Sequence, residues 1–240
     1  MRRERYLCAP APSTTDEPLP MPAKPTTRDR ILEASLELFN SQGERSVTTN
    51  HIAAHLGISP GNLYYHFRNK QMIIAELFGR YEADVDAFLQ LPAGRALTVE
   101  DKTLYLEALL SAVWDYRFMH RDLEHLLDSD EQLAERYRLF AKRHLLSAQQ
   151  IYQGFVDAGI LNMTPRQVEA LAVNAWIIIT SWVRFLRTVS GGPSGALERE
   201  SLRQGISQLL ALEDGYVTTD ARASFEALYR QLYAPITLLF

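Results

Sequence analysis

The side chains between residues 59 and 70 have the types and spacing that are needed to bind nucleic acid. Tyr64 and Tyr65 bring hydroxyl groups that donate to phosphate oxygens, and Asn62 or Tyr65 can meet the edge of a base. Gly61 allows the backbone to approach DNA closely because it has no side chain. A helix over these residues would also offer its first backbone N–H groups to phosphate.

Two short helices joined by a glycine-containing turn must position these side chains. The first is predicted from about Thr49 to Leu56, and Gly57 breaks it. Ser59 is a suitable N-cap for the second helix, and Pro60 suits its first position because the N–H that proline lacks has no helical partner there. The inner faces of this predicted helix-turn-helix are formed by Ile52, Ala53, Leu56, Ile58, Leu63 and Phe67.

An ordinary helical hairpin with polar caps is the alternative interpretation of this stretch. That alternative leaves the block Leu63-Tyr64-Tyr65-His66-Phe67 and the following Lys70 unexplained, because packing does not require two tyrosines, a histidine and a lysine there. Such side chains on a short helix are an unfavourable surface unless they contact a partner. The pattern therefore favours a DNA-binding function.

The remaining sequence is helical in pattern, and the predicted fold class is all-α. A first helix from Thr27 to Gly43 completes a three-helix head. A helix over Lys70–Leu89 joins this head to a body of five or six further helices. One of them is predicted to be short, from Arg121 to Leu127, and the long helix after it is predicted to end at Gly159. The predicted domains are a flexible tail over residues 1–25, a helix-turn-helix domain over 26–80, and a helical regulatory and dimerisation domain over 81–240.

The composition is that of an ordinary globular protein, with 47% apolar and 22% charged residues. The whole chain has a formal net charge of −4, which gives no general affinity for nucleic acid. Residues 24–80 nevertheless have a net charge of +2, and residues 81–240 have a net charge of −6. A mildly basic head on an acidic body is consistent with a head that faces phosphate.

The first 25 residues contain six of the eleven prolines and predict a flexible tail. Translation could begin at Met21 instead of Met1. Cys8 is the only cysteine, so neither an intrachain disulfide nor a cysteine metal site is expected. The longest uncharged stretch of the C-terminal half, Ala170–Val183, is shorter than a bilayer span of about 20 residues. With no export signal either, the prediction is a cytoplasmic protein that does not enter a membrane.

No residues have the spacing of a catalytic centre, and the histidines do not predict a metal site. His51 and His55 have an i,i+4 spacing that can bind zinc, but the glutamate that accompanies such a pair is missing. The other candidates, His120, His125 and His144, lack ligand-type partners at helical spacing. We therefore predict no cofactor and no enzyme activity. A body that is a small enzyme or carrier, with an incidental motif, remains the alternative class.

Within residues 26–80 the sequence resembles the TetR family of transcriptional regulators. The resemblance rests on Thr48 four residues before Ile52, on Gly57-Ile58-Ser59 and Gly61, and on Leu63-Tyr64-Tyr65-His66-Phe67 followed by Lys70. It implies a cytoplasmic homodimer that binds double-stranded operator DNA. It further implies a repressor that is released from the operator by a small-molecule effector.

The resemblance also implies individual DNA contacts. Thr48 would cap the first helix of the motif and touch phosphate. Phosphate contacts are expected from Tyr64, His66 and Lys70, and the positions nearest the bases are expected to be Pro60, Gly61, Asn62 and Tyr65. His51 departs from the family, which often has an acid there, so the sequence predicts that the reciprocal capping box is missing.

The C-terminal half resembles one subgroup of TetR-like repressors more weakly. Simple core packing is the better interpretation of any single aromatic residue there, whereas as a group they are candidates to line an effector pocket. The expected pocket residues are Trp114, Phe118, Tyr137, Phe140 and Trp176. The apolar helix Gln167–Val189 is the expected dimer interface, with Trp182, Phe185 and Leu209. A DNA-bound regulator that acts through a protein partner, without a small ligand, remains a further alternative.

Overall fold

The computed structural model describes residues 25–189 and 198–234. Within these ranges the chain forms ten α-helices and no β-strand, apart from one isolated bridge between Leu161 and Val217. The all-α prediction is therefore confirmed. The helices are α1 Thr27–Gln42, α2 Thr49–Leu56, α3 Pro60–His66, α4 Lys70–Phe88, α5 Val99–Asp115, α6 Arg117–Ser129, α7 Glu131–Asp157, α8 Pro165–Val189, α9 Arg199–Glu213 and α10 Arg222–Leu232.

Some sequence predictions lie outside the described residues. They concern the tail over residues 1–24, with Cys8 and the alternative start at Met21, and the glycine-containing loop at residues 191–195. In the described part, α6 is longer than predicted, because Phe118, Met119 and His120 are buried and extend its packed face towards the N-terminus.

The helices of the head begin at side-chain caps. The Thr48 hydroxyl accepts a hydrogen bond from the His51 backbone N–H at 3.2 Å, and Ser59 accepts one from Asn62 at 3.2 Å. The prediction of a missing capping box at α2 is wrong. His51 supplies the reciprocal contact through its ring, since Nδ1 accepts from the Thr48 backbone N–H at 3.4 Å. An imidazole nitrogen thus takes the place of the carboxylate oxygen that usually closes such a box.

A single hydrophobic cluster runs from the head into the body. It contains Phe67 at the end of α3, Leu77 on α4 and Phe118 on α6, each fully buried, and it extends to Phe140 on α7. The predicted domain boundary between residues 80 and 81 falls inside α4, which packs on both sides of it. That boundary remains a prediction, and the head and the body share one core.

A second cluster fills the rest of the body and is built around α8. This helix packs against α6, α7 and α9. By length and composition alone α8 is long and apolar enough to cross a membrane, and one such helix is weak evidence for a span. Only 28% of its most apolar 18-residue window is buried within the subunit, so much of its apolar surface has no cover in a single chain.

Candidate nucleic-acid interface

Helix α3 has one buried side and one exposed side. Leu63 and the adjoining Phe67 are fully buried in the head and fix the orientation of the helix. On the other side, Tyr65 is 85% exposed and Tyr64 is 46% exposed. Large aromatic side chains with that exposure contribute little to the packing of their own subunit. The exposed side of α3 therefore has the character of a binding surface.

Gly61 belongs to this exposed side. A Cβ atom built at this position would meet only the Ser59 hydroxyl, at 3.9 Å, and its backbone is not in the left-handed region. Neither packing nor conformation within the chain therefore requires a glycine there. Close approach of an external partner is a physical reason for the residue. The adjoining predicted base contacts, Pro60 and Asn62, are exposed on the same short helix.

Tyr64 connects the two helices of the motif. Its hydroxyl group lies 3.0 Å from the Thr49 hydroxyl at the start of α2, within hydrogen-bonding distance. Thr48, the cap of α2, is exposed one residue earlier, and His66 is half-buried at the end of α3. The structure thus places Tyr64 beside Thr49, the residue that follows Thr48 at the start of α2, and the phosphate contacts of Thr48 and Tyr64 stay a prediction. Sequence reasoning missed Thr49, although its position at the N-terminus of α2 was available as a signal.

Arg28 of α1 also positions α3. Its guanidinium donates to the His66 carbonyl at 2.9 Å, pairs with Glu76 of α4, and lies 4.2 Å from the centre of the Phe67 ring. The end of α3 is therefore attached to two other helices by one side chain. Nothing in the spacing of Arg28 along the sequence indicates this contact, because its partner lies 38 residues away.

Lys70 uses its charge inside the head. Its Nζ atom lies 2.6 Å from the Glu44 carboxylate and donates to the carbonyl groups of Glu44 and Val47, at 3.0 and 3.1 Å. These contacts join the start of α4 to the turn before α2. Lys70 thus has three acceptors inside the subunit, and the phosphate contact that the resemblance implies stays a prediction.

Other cations of the head remain available. Arg45 lies in the short 3-10 turn before α2, and Arg68 lies between α3 and α4. Both are exposed, and neither has a carboxylate partner among the described residues. They flank the helix-turn-helix on both sides. Sequence reasoning counted them only in the net charge of the head.

The body contains a cavity of about 90 Å³ among α4, α5, α7, α8 and α9. Two of the five predicted effector-pocket residues, Phe140 and Trp176, line it. Tyr137 lines a smaller neighbouring cavity of about 20 Å³. The other two predicted residues do not line either cavity. Phe118 is fully buried against Phe39, and Trp114 stacks under the Arg117 guanidinium, so neither contributes to these two cavities.

The predicted dimer residues have different environments. Phe185 is 37% exposed on α8, whereas the ring of Trp182 packs over Gly205 and its Nε1 donates to the Ser201 carbonyl at 3.0 Å. Leu209 is 2% exposed and lines the body cavity, so its placement at a subunit interface was wrong. An apolar stripe that sequence reasoning did not single out continues along α8 through Val173 and Ile177, which are 41% and 53% exposed.

Among residues 25–189 and 198–234, no group of three or more potential ligand side chains is arranged to hold a metal ion. His51 in particular has its Nδ1 engaged in the cap of α2.

Comparison with known families gives two matches that divide the chain. The family model described as "Bacterial regulatory proteins, tetR family" matches residues 31–77, and the model described as "Bacterial transcriptional repressor" matches residues 80–225. The second match spans more than half of the chain.

Comparison with individual proteins gives the same result. The chain is 48% identical to a solved TetR-family transcriptional regulator from Marinobacter aquaeolei, with a TM-score of 0.80, over 87% of this chain and 100% of that one. It is 26% identical over 178 residues to the transcriptional repressor KstR2 of Rhodococcus jostii, covering 68% of this chain and 83% of the relative. Its 32% identity to KstR2 of Mycolicibacterium smegmatis covers 84 residues, 32% of this chain and only 38% of that relative.

Proposed function

The chain belongs to the TetR family of bacterial transcriptional regulators, and from that premise we propose a repressor that binds its operator as a homodimer and is released by a small-molecule effector. The observation that carries the proposal is α3, a helix fixed on its inner side by Leu63 and Phe67 while Tyr65 is left 85% exposed. We propose no catalytic step. We also infer that the protein acts in the cytoplasm, because its proposed operator is chromosomal DNA.

In the proposed complex, α3 lies in the major groove of the operator. Pro60, Gly61 and Asn62 approach the bases together with Tyr65, and the absence of a side chain at Gly61 permits the closest approach. Phosphates on either side are contacted by Thr48, Ser59, Tyr64 and His66. The Tyr64 hydroxyl, which lies beside Thr49, is placed to share a phosphate with the start of α2.

We assign the charged phosphate contacts to Arg45 and Arg68. These exposed guanidinium groups have no carboxylate partner among the described residues, so no internal ion pair must break when DNA binds. Lys70 has a positioning role instead, because its contacts with Glu44 and Val47 hold α4 against the turn that precedes α2.

The exposed stripe on α8 supports a homodimer. Val173, Ile177 and Phe185 lie on one side of a helix whose opposite side packs into the body. Burial of this stripe against a second copy would remove apolar surface from water and produce a two-fold interface. Two α3 helices could then enter successive major grooves, whose centres are roughly 34–36 Å apart.

Effector release is proposed to pass from the body cavity to the head through hydrogen bonds that join α1 to the end of α5 and the start of α6. Asn40 of α1 donates to the Asp115 carbonyl at 2.7 Å and accepts from the Phe118 N–H at 3.0 Å, while Arg121 of α6 donates to the Phe39 carbonyl at 2.9 Å. An effector that binds more tightly to a subunit arrangement in which the heads are misplaced would lower the affinity for DNA. The size of this decrease is set by the difference between the effector's affinities for the two arrangements.

Fluorescence anisotropy tests the proposal. The purified protein is titrated into DNA from the region upstream of its own gene and into random DNA of equal length, at two salt concentrations. We expect salt-sensitive binding that resists competitor DNA, at two subunits or a multiple of two per site. If the protein shows no preference for the upstream DNA over random DNA, genome-wide selection of bound fragments must identify another site. Failure to enrich any fragment would overturn the proposal.

A further inference from the structure

The body cavity is lined mostly by apolar side chains, and most polar groups on its wall already have partners. The Thr180 hydroxyl donates to the Trp176 carbonyl at 2.7 Å, and the Tyr105 hydroxyl donates to the Gln90 carbonyl at 2.5 Å. Neither hydroxyl has its proton free for a ligand. An occupant of this cavity therefore needs a mainly apolar body.

The Tyr81 hydroxyl and the His144 ring are the exceptions on this wall: the hydroxyl makes no hydrogen bond with the described residues, and His144 is the more deeply buried of the two. The His144 side chain is 2% exposed, and neither ring nitrogen makes a hydrogen bond with the described residues. The Nε2 atom lies 3.2 Å from the Asp86 carboxylate without the alignment of a hydrogen bond, and Asp86 itself accepts from Arg143. Burial lowers the pKa of His144, although Asp86 opposes the shift, so the ring is neutral and has one donor and one acceptor. Unpaired buried polar atoms are rare and call for a partner.

A charged occupant is disfavoured by the one buried cation on the wall. Lys102 is 4% exposed, and its Nζ atom lies 2.5 Å from the carboxylate of the fully buried Glu213. Tyr152 donates to the same carboxylate at 2.8 Å. An anionic ligand that formed an ion pair with Lys102 would leave the buried Glu213 carboxylate without its counter-charge. A cationic ligand would be repelled by Lys102.

Building on the proposed function, we propose that the effector is an uncharged molecule with an apolar body and one hydroxyl group, and that His144 binds this hydroxyl inside the body cavity. A hydroxyl both donates and accepts, so it can pair with either tautomer of the neutral ring. The same contact lies beside Asp86 of α4, the helix that joins the body to the head.

Four matched probes test the inference on the full-length protein: toluene, benzyl alcohol, benzoate and benzylammonium. Binding is followed by NMR through the indole N–H of Trp176, which lines the cavity and is assigned with Trp176→Phe. Benzyl alcohol is expected to bind about tenfold more tightly than either ion. His144→Leu should lower the affinity for benzyl alcohol, relative to that for toluene, by roughly fivefold, which corresponds to the loss of one hydrogen bond. The affinity for toluene itself should change by less than about twofold.

Toluene binding in the His144→Leu variant also shows that the cavity is intact. The matched control is His125→Leu, which removes a half-exposed histidine of α6 that does not line the cavity. The inference is overturned if benzoate binds best, if the preference for the alcohol survives in His144→Leu, or if no probe shifts the Trp176 signal. Operator binding by the same preparation is measured separately, so failure of the ligand class is distinct from failure of the proposed function.

Discussion

The ammonium group of Lys70 lies 2.6 Å from the carboxylate of Glu44, a residue that is almost fully buried in the head. Lys70→Met would leave this carboxylate without its counter-charge. We expect a loss of about 2 kcal/mol in the free energy of unfolding, measured by urea denaturation at fixed protein concentration. The double variant Lys70→Met with Glu44→Gln should recover most of the loss. No destabilisation in the single variant would contradict the positioning role.

Arg68 is expected to contribute one phosphate contact in each subunit. Arg68→Ala should weaken binding to operator and random DNA alike. In a plot of log affinity against log salt, the slope for the dimer should become shallower by about two. The control is Lys142→Ala on α7, which removes an exposed cation without a carboxylate partner among the described residues. An unchanged slope for Arg68→Ala would rule out the contact.

Tyr65 is expected to determine sequence preference. Tyr65→Ala should reduce discrimination between operator and random DNA by about 1–3 kcal/mol, measured by anisotropy with both DNAs. Because the side chain is 85% exposed, the free energy of unfolding should stay within about 0.5 kcal/mol of the parent. Tyr64→Phe offers a matched comparison, since loss of the Tyr64 hydroxyl should weaken binding to operator DNA and to random DNA equally. Retained discrimination in Tyr65→Ala would place the base contacts elsewhere.

Gly205 permits the close contact between α8 and α9. A Cβ atom there would lie 2.8 Å from Cγ of Trp182, a rigid ring that is also held through its Nε1 by the Ser201 carbonyl. Gly205→Ala is therefore expected to destabilise the protein by about 1–3 kcal/mol in thermal or urea unfolding. Gly215→Ala is the control, because a Cβ at that position meets nothing within 4 Å. Equal stability of the two variants would count against this packing argument.

His120 should make the stability sensitive to mild acid. Burial lowers the pKa of this residue to about 4, whereas an unfolded chain restores it to about 6.5. The unfolded state therefore binds the proton more readily between these values, and stability should fall as the pH drops from 6.5 to 4, by about 3 kcal/mol in total. His120→Leu should flatten this part of the profile more than His125→Leu does. An identical slope in both variants would exclude His120 as a cause.

Local sequence signals predicted most of the fold. Caps and glycines at Thr48, Gly57, Ser59 and Gly159 mark helix ends through short-range geometry, and the structure places the helices accordingly. The start of α6 was missed because its packed face depends on contacts with α1 and α8, which are remote in sequence.

The candidate site was predictable to a similar degree. The exposed residues of α3 follow from the pattern, since the apolar positions Leu63 and Phe67 fix which side faces inward. The internal engagement of Lys70 and the anchoring role of Arg28 could not be predicted, because both depend on partners that lie 23 to 48 residues away. The prediction that Leu209 lies at a subunit interface failed for the same reason, because the burial of Leu209 depends on how α9 packs against the body.

The cluster that joins Phe67 beneath α3 to Phe140 beside the body cavity has a mechanical consequence. Because this cluster packs without a break from the head into the body, the subunit has no unpacked junction at which its head could move alone. We therefore expect each subunit to rotate as one rigid body about the exposed stripe of α8. In such a rotation, a slight change in the angle between the two copies becomes a larger change in the separation of their α3 helices.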